Sequence, residues 1–237
     1  SMTVPERWLQ PYDYDELRAI TPTDLTPLPE PPSTDVARTV PVEETGGALV
    51  EIPDDLATYH AYLELGSQAM PRVMLAREEV IDRIRRAQAS LPAPFTFLIL
   101  DTWRSVEAQA ELARIYKQKY PDLDARYIAD ASDTELIAPH TMGAAVDLTL
   151  CVDGQGLPLG ADFDQFDESA GAMYLERLED PSPQQVLNRD LRRLLSHTMF
   201  DAGFAPLDSE WWHFSYGDQR WATFTGSSAS LYGRIEA

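Results

Sequence analysis

A chain of 237 residues with 44% hydrophobic content can bury one substantial core, and its length suits one domain or one domain plus an extension. Its formal net charge is −20, and only Lys117 and Lys119 among the nineteen basic residues are lysines; that balance repels phosphate backbones and anionic lipid, so neither nucleic acid nor a membrane surface is an expected partner. No run of 18 apolar residues suggests a membrane span, and the single cysteine, Cys151, excludes an internal disulfide.

The first 50 residues differ from the rest. Eight of the eighteen prolines fall there, including Pro27-Leu-Pro-Glu-Pro-Pro32, which disfavours helix and predicts an extended arm laid over the domain of residues 51–237. Trp8, Tyr12 and Tyr14 give that arm something to bury. The N-terminus lacks the basic-then-apolar profile of a signal peptide, and Ser1-Met2 reads as a cloning remnant ahead of which a leader could stand. With one core-type thiol, a reducing, cytoplasmic setting is the expectation.

Downstream, residues 75–91 place Val80, Ile81, Ile84 and Ala87 on one face and Arg83, Arg85 and Arg86 elsewhere, an amphipathic helix. Phe95-Thr-Phe-Leu-Ile-Leu100 reads as a buried strand delivering Arg104 at its end. Ser105 can cap a helix running to about Tyr120, where Pro121 stops it. Residues 121–139 are polar and irregular, suited to the rim of a site. A second amphipathic helix spans 184–202, with Gly203 in the position of a C-cap. No internal repeat is evident. Helices and strands are mixed, which gives an α+β domain.

Two segments carry the chemistry. His140-Thr-Met-Gly-Ala-Ala-Val-Asp147 and Glu210-Trp-Trp-His213 hold two of the four histidines together with two carboxylates. Catalytic zinc takes three protein ligands from His, Asp and Glu and keeps a fourth position for water, while a separate carboxylate moves protons. His140, Asp147 and His213 fit as ligands of one zinc per chain, and Glu210 as the base. A continuous strand would separate His140 from Asp147 by roughly 20 Å or more, so the chain must turn between them, and Gly143 supplies the backbone freedom. Residues 145–150 then read as a buried strand holding Asp147. Positions three apart on a regular strand face opposite ways, so Glu210 and His213 need a bulge or a helical turn to converge. The two tryptophans are expected to wall the site. His60 and His197 lack a carboxylate at ligand spacing and read as packing or surface residues. Cys151 has no histidine nearby in sequence and reads as a core thiol rather than a nucleophile.

These motifs resemble a family. H-x-x-G-x-A-x-D-L-T-L followed by E-W-W-H is similar to the VanX-type D-alanyl-D-alanine dipeptidases, zinc peptidases of the superfamily shared with D,D-carboxypeptidases and the hedgehog domain. Leu100-Asp-Thr-Trp-Arg104 is similar to the family's Asp-x-Tyr-Arg-Pro segment, Gly160-Ala-Asp-Phe163-Asp164-Gln-Phe166-Asp167 to its Met-Gly-x-x-Phe-Asp segment, and Pro71-Arg72 before a long helix also fits. The resemblance covers about residues 50–217. It implies a mostly antiparallel central sheet flanked by helices, zinc on His140, Asp147 and His213, proton transfer by Glu210, hydrogen bonds from Arg104 to the substrate carbonyl, and Asp164 on the substrate ammonium group. The implied substrate is a small dipeptide with a free N-terminus.

Four positions depart from the family pattern: Ala138 and Pro139 stand where serine hydroxyls are common, Ser105 replaces a proline and Trp103 a tyrosine. Strict preference for D-Ala-D-Ala therefore does not follow from the motifs. Two other functional classes are compatible with them. One is a D,D- or L,D-carboxypeptidase acting on peptidoglycan stem peptides, against which Asp164 counts because a stem peptide has no free amine beside the scissile bond. The other is a non-catalytic zinc-binding module, against which Glu210 and Arg104 count. Oligomeric state is not encoded in any motif.

Overall fold

The computed structural model describes residues 6–237. Its centre is the strand β5 (Ala145–Val152), eight consecutive residues that are all buried, mostly apolar as expected of a strand covered on both faces but interrupted by Asp147 and Thr149. The sheet is built outwards from it. On one side lie β4 (Thr96–Asp101) and then the short β2 (Ala57–Thr58); on the other lie β8 (Glu210–Ser215) and β7 (Ala205–Leu207), while β6 (Gln155–Gly156) folds back on the end of β5. Every pairing in this sheet is antiparallel except β2 with β4. The mixed, mostly antiparallel architecture agrees with the α+β expectation.

Helices cover the sheet. α4 (Glu78–Ser90) buries Val80, Ile81, Ile84 and Ala87, the face read from the sequence. Residues 75–77 are not its first turn, however. They form β3 (Leu75–Arg77), paired antiparallel with β1 (Leu49–Glu51), and the helix begins only at Glu78 and Glu79, whose carboxylates suit a helix N-terminus. α5 (Val106–Lys119) starts where Ser105 accepts a hydrogen bond from the Ala108 N–H, and α6 (Pro183–Asp201) starts with a full capping box between Ser182 and Gln185. Gly203 follows α6 at φ +96°, a conformation side chains disfavour. α3 (Ala61–Glu64) brings Tyr62 inside, and α7 (Gln219–Thr225) is the last helix.

The N-terminal segment contains two short helices, α1 (Tyr14–Ile20) and α2 (Thr34–Arg38), where the proline content had pointed to a wholly extended arm. Asp13 caps α1 by accepting from the Glu16 N–H, and the prolines cluster between the two helices rather than inside them. The segment lies against the sheet domain. The Trp8 and Leu9 N–H groups both donate to the Asp162 carboxylate at 2.9 Å, and Leu9, Leu17, Leu28 and Ala37 are buried.

The turn before β5 depends on Gly143, at φ +69°. A Cβ there would also stand 2.6 Å from Leu49 Cδ2 and 3.2 Å from Arg77 Cγ, so no side chain fits without a shift. Gly143→Ala is expected to lower stability by about 1–2 kcal/mol for the left-handed conformation alone. Urea denaturation of the purified variant measures this, and an unchanged midpoint would show that the turn relaxes freely.

Candidate metal centre and substrate cavity

Strand register builds the site. In the antiparallel ladders Asp147 on β5 stands opposite His213 on β8 and Asp101 on β4, and directly opposed residues share one face of a sheet. Three ionisable side chains therefore project from neighbouring strands to the same side. His140 arrives from a short 3₁₀ turn, Pro139–Met142, which Gly143 reverses into β5. His140 Nε2 and His213 Nδ1 converge on Asp147 Oδ1 at 3.2 and 3.1 Å, with the two rings nearly perpendicular. The ligand-competent atoms of the three residues all lie within 4.8 Å of one another.

That spacing fits a metal. Ligands held about 2.1 Å from a tetrahedral ion stand about 3.4 Å apart. The His140 tautomer is fixed by its Nδ1, 2.6 Å from the Thr102 carbonyl oxygen: a carbonyl only accepts, so Nδ1 carries the proton and Nε2 presents its lone pair. Asp147 Oδ2 and His213 Nε2 are buried without a hydrogen-bond partner among the described residues. Burial lowers the pKa of His213 and so favours the neutral, ligating imidazole. Burial alone would raise Asp147, but the His140 and His213 imidazoles hold it well below the usual carboxylate range.

Around this cluster stand Arg104, Glu210 and Asp164. Arg104 follows the end of β4, where its Nε donates to Asp101 Oδ2 at 2.7 Å, its Nη1 to Gln109 Oε1 at 2.9 Å and its Nη2 to the Tyr62 hydroxyl at 3.2 Å, with Asp147 Oδ2 at 3.6 Å. Asp164 accepts from the Tyr62 and Tyr116 hydroxyls at 2.7 and 2.8 Å, both on Oδ2. Its backbone lies at φ +58°, unusual for a non-glycine residue and typical of positions where surrounding structure dictates the geometry. The surrounding structure includes Arg192, whose guanidinium donates to the carbonyls of Leu159, Ser169 and Gly171 on either side of that loop. Burial pulls Arg192 down to about 9, still protonated at neutral pH.

Glu210 begins β8, and the β7–β8 register shifts between Pro206 and Leu207, so that Leu207 pairs with Glu210 while Pro206 pairs with Phe214. This irregularity brings Glu210 and His213 into the same cavity, as the three-residue spacing demanded. Burial, with the Asp147 and Asp164 charges, pushes Glu210 well above its ordinary value; burial likewise raises Asp164, to about 7.

His140, His213, Arg104, Glu210 and Asp164 line one cavity of about 360 Å³, within the range of small-molecule sites. Residues 125–137 form part of its rim, the position read for the polar stretch before His140. Among the described residues the lining includes neither Trp211 nor Trp212, contrary to the expectation that they wall the site. Trp212 instead packs edge-on against Phe163, next to Asp164, and the Arg192 guanidinium sits over Trp211. The irregularity at the start of β8 leaves both indoles in the core beside the Asp164 loop. His60 and His197 lie away from the cluster, their Nε2 atoms bonded to the carbonyls of Pro71 and Thr26. Cys151 is buried. Sequence reading missed Asp101, Gln109, Tyr62 and Tyr116; Asp101 had a signal, its position three residues before Arg104, whereas the tyrosines are brought in by long-range packing.

Two imidazoles and a carboxylate facing a cavity that also holds a carboxylate and a guanidinium define the site class of a metal-dependent hydrolase. The chain belongs to the peptidase M15 family, described as D-ala-D-ala dipeptidase, whose model matches residues 57–228. It is similar to proteins named D-alanyl-D-alanine dipeptidase from Synechocystis sp. (36% identical over 109 residues, 41% of this chain and 44% of that one) and from Escherichia coli (31% over 144 residues, 60% and 66%). A third, from Enterococcus faecium, is 31% identical over 114 residues, 47% of this chain and 53% of the relative. The matched stretches thus span from under half to about two-thirds of those relatives' lengths.

The raised Asp164 has a consequence for metal-free protein. With a folded pKa of about 7 against an ordinary 3.8, the native state retains a proton that the unfolded chain has lost between those values. Stability from this group is therefore present below about pH 4 and declines as pH rises through 7. Asp164→Asn should flatten that decline, and urea-unfolding free energies of EDTA-treated protein at pH 5 and pH 8 test it; parallel curves for the two proteins would refute the shift.

Proposed function

We propose that this chain is a zinc-dependent dipeptidase that hydrolyses D-Ala-D-Ala or similar small dipeptides with a free N-terminus. The observation that carries the reading is the convergence of His140, Asp147 and His213 beside a cavity lined by Glu210, Arg104 and Asp164. On this reading residues 51–237 are the catalytic domain and residues 1–50 an arm packed on it. A cytoplasmic setting accords with one buried free cysteine, and among the described residues no helix is long and apolar enough to cross a membrane.

His140 Nε2, a carboxylate oxygen of Asp147 and His213 Nδ1 would hold one zinc ion. Bound there, zinc supplies Lewis acidity and lowers the pKa of a coordinated water to about 7. Glu210 takes the proton released by the attacking water and returns it to the leaving nitrogen. Burial raises its proton affinity, which favours taking that proton and holding it for the leaving group. Arg104 is held by Asp101, Gln109 and Tyr62 with N–H groups to spare on both Nη atoms, which can meet negative charge developing on the scissile carbonyl oxygen. Among the described residues Asp164 Oδ1 has no protein donor, since both tyrosine hydroxyls engage Oδ2, and that oxygen would receive the substrate ammonium group.

Purified protein is expected to contain one zinc per chain by elemental analysis. Glu210→Ala should retain the metal and lose about 10²–10⁴-fold in kcat, the usual contribution of general acid–base assistance, while His213→Ala should lose metal and turnover together. Near wild-type turnover in Glu210→Ala would remove this residue as the base.

Substrate choice separates dipeptidase from carboxypeptidase. An acylated amine would leave the buried Asp164 carboxylate without its counter-charge, so free D-Ala-D-Ala should be cleaved far faster than its N-acetyl derivative. Equal kcat/KM values for the two would exclude Asp164 from substrate binding and favour action on stem peptides.

A further inference from the structure

Four arginines line the cavity, and three have their charge met. Arg38 grips Asp133 at 2.8 and 3.1 Å, Arg104 is bonded to Asp101, and Arg126 faces Asp124 at 3.8 Å. Arg220 is different. Among the described residues its guanidinium makes no ion pair and no hydrogen bond, and its Nε is buried without an acceptor. A buried donor on a charged group left unpaired is costly, and a bound anion would offset that cost most strongly.

The position is a built one. Arg220 belongs to the first turn of α7, where Asp218 accepts from the Trp221 N–H and from the Ser215 hydroxyl, while the Gln219 side chain binds the carbonyls of Val40 and Glu135 and the Ile137 N–H. The helix start is therefore tied to β8, to the N-terminal segment and to the cavity rim. Glu210 lies within electrostatic reach of both Arg220 and Asp164, the first opposing and the second reinforcing the rise in its proton affinity. A free dipeptide is a zwitterion whose two charges flank the scissile bond. Asp164 answers one of them. Nearby, Ala138 has no hydroxyl and Pro139 no N–H to offer the other.

We propose that Arg220 binds the terminal carboxylate of the substrate, so that the cavity selects peptides with a free C-terminus as well as a free N-terminus. The inference rests on the dipeptide reading above and adds a specificity-determining residue to it. Arginine suits the task because its planar fork meets a carboxylate through two parallel hydrogen bonds.

The test compares D-Ala-D-Ala with its C-terminal amide, which keeps the shape and the ammonium group but loses the negative charge. Wild-type protein should favour the free acid by about 10- to 100-fold in kcat/KM, mainly through KM, as expected for a charge-assisted hydrogen bond. Arg220→Met should lose most of that preference, read as the ratio of the acid to the amide in the same variant, with zinc content unchanged. Arg220→Lys should recover part of it, and carries the test if the methionine variant folds poorly. A wild type indifferent to amidation, or an Arg220→Met that keeps the full preference, overturns the proposal. Calorimetric binding of the acid and the amide to Glu210→Gln protein, with and without Arg220→Met, separates the two claims. Arg220-dependent binding of the acid in a protein that hydrolyses no dipeptide would leave the carboxylate site standing and defeat the dipeptidase reading. Hydrolysis insensitive to Arg220 would do the reverse.

Discussion

The Asp147 carboxylate sets the terms for the rest of the site. It is fully buried in the central strand, and burying a charge is tolerable only where opposite charges or strong donors surround it. Two imidazoles and the Arg104 guanidinium do so, yet they do not balance the neighbourhood: Asp101, Asp164 and Glu210 are buried carboxyl groups close by. The excess of negative potential has two outlets. A divalent cation between the three convergent donors would neutralise it, and in metal-free protein the buried Glu210 and Asp164 carboxyls hold protons more tightly than usual. Burial raises Glu210 and Asp164, and the charge of the depressed Asp147 adds to the rise.

Rigidity is distributed to match. Asp101, Asp147 and His213 are fixed by the ladder hydrogen bonds of three adjacent strands, so their relative positions cannot drift without breaking the sheet. Asp164 sits on a loop and needs other means. Arg192 clamps that loop through three carbonyls, Tyr62 and Tyr116 hold the carboxylate, and Trp212 supports Phe163 from the core. A site on a loop can be as well defined as one on a strand when its backbone acceptors are tied down.

The groups most legible in the sequence were those whose roles are constrained locally. His140, Gly143 and Asp147 could be read because a short segment had to fold back within a few residues, and only a glycine at left-handed φ allows it. The β8 irregularity was legible for the same reason, since two polar groups three apart cannot share a strand face otherwise. The helix start at Ser105 carried a capping signal that the structure uses. The features that could not be read depend on partners distant in the chain. Leu75–Arg77 shares the helical periodicity of residues 78–90, but β1 claims its backbone hydrogen bonds. The tryptophans between Glu210 and His213 were expected at the site because of their neighbours, whereas the bulge turns those neighbours inward and leaves the indoles in the core. Tyr62, Tyr116 and Arg220 carry no local signature at all.

The N-terminal segment shows how far beyond the shared core the cavity extends. Thr34 and Arg38 of α2 line it, α2 packs on α7, and Gln219 reaches the Val40 carbonyl. The family match begins only at residue 57. One wall of the cavity, and the helix partner that seats Arg220, therefore lie upstream of the region that defines the family. Strand-borne groups such as Asp147 and His213 are constrained by register and tolerate little change, whereas a wall made by a separate segment can vary without disturbing them. Relatives with the same donor set can thus differ in the size and charge of the space that faces it, and differences in peptide length or terminal charge preference between them are to be sought in α2, the 125–137 rim and α7 rather than in the sheet.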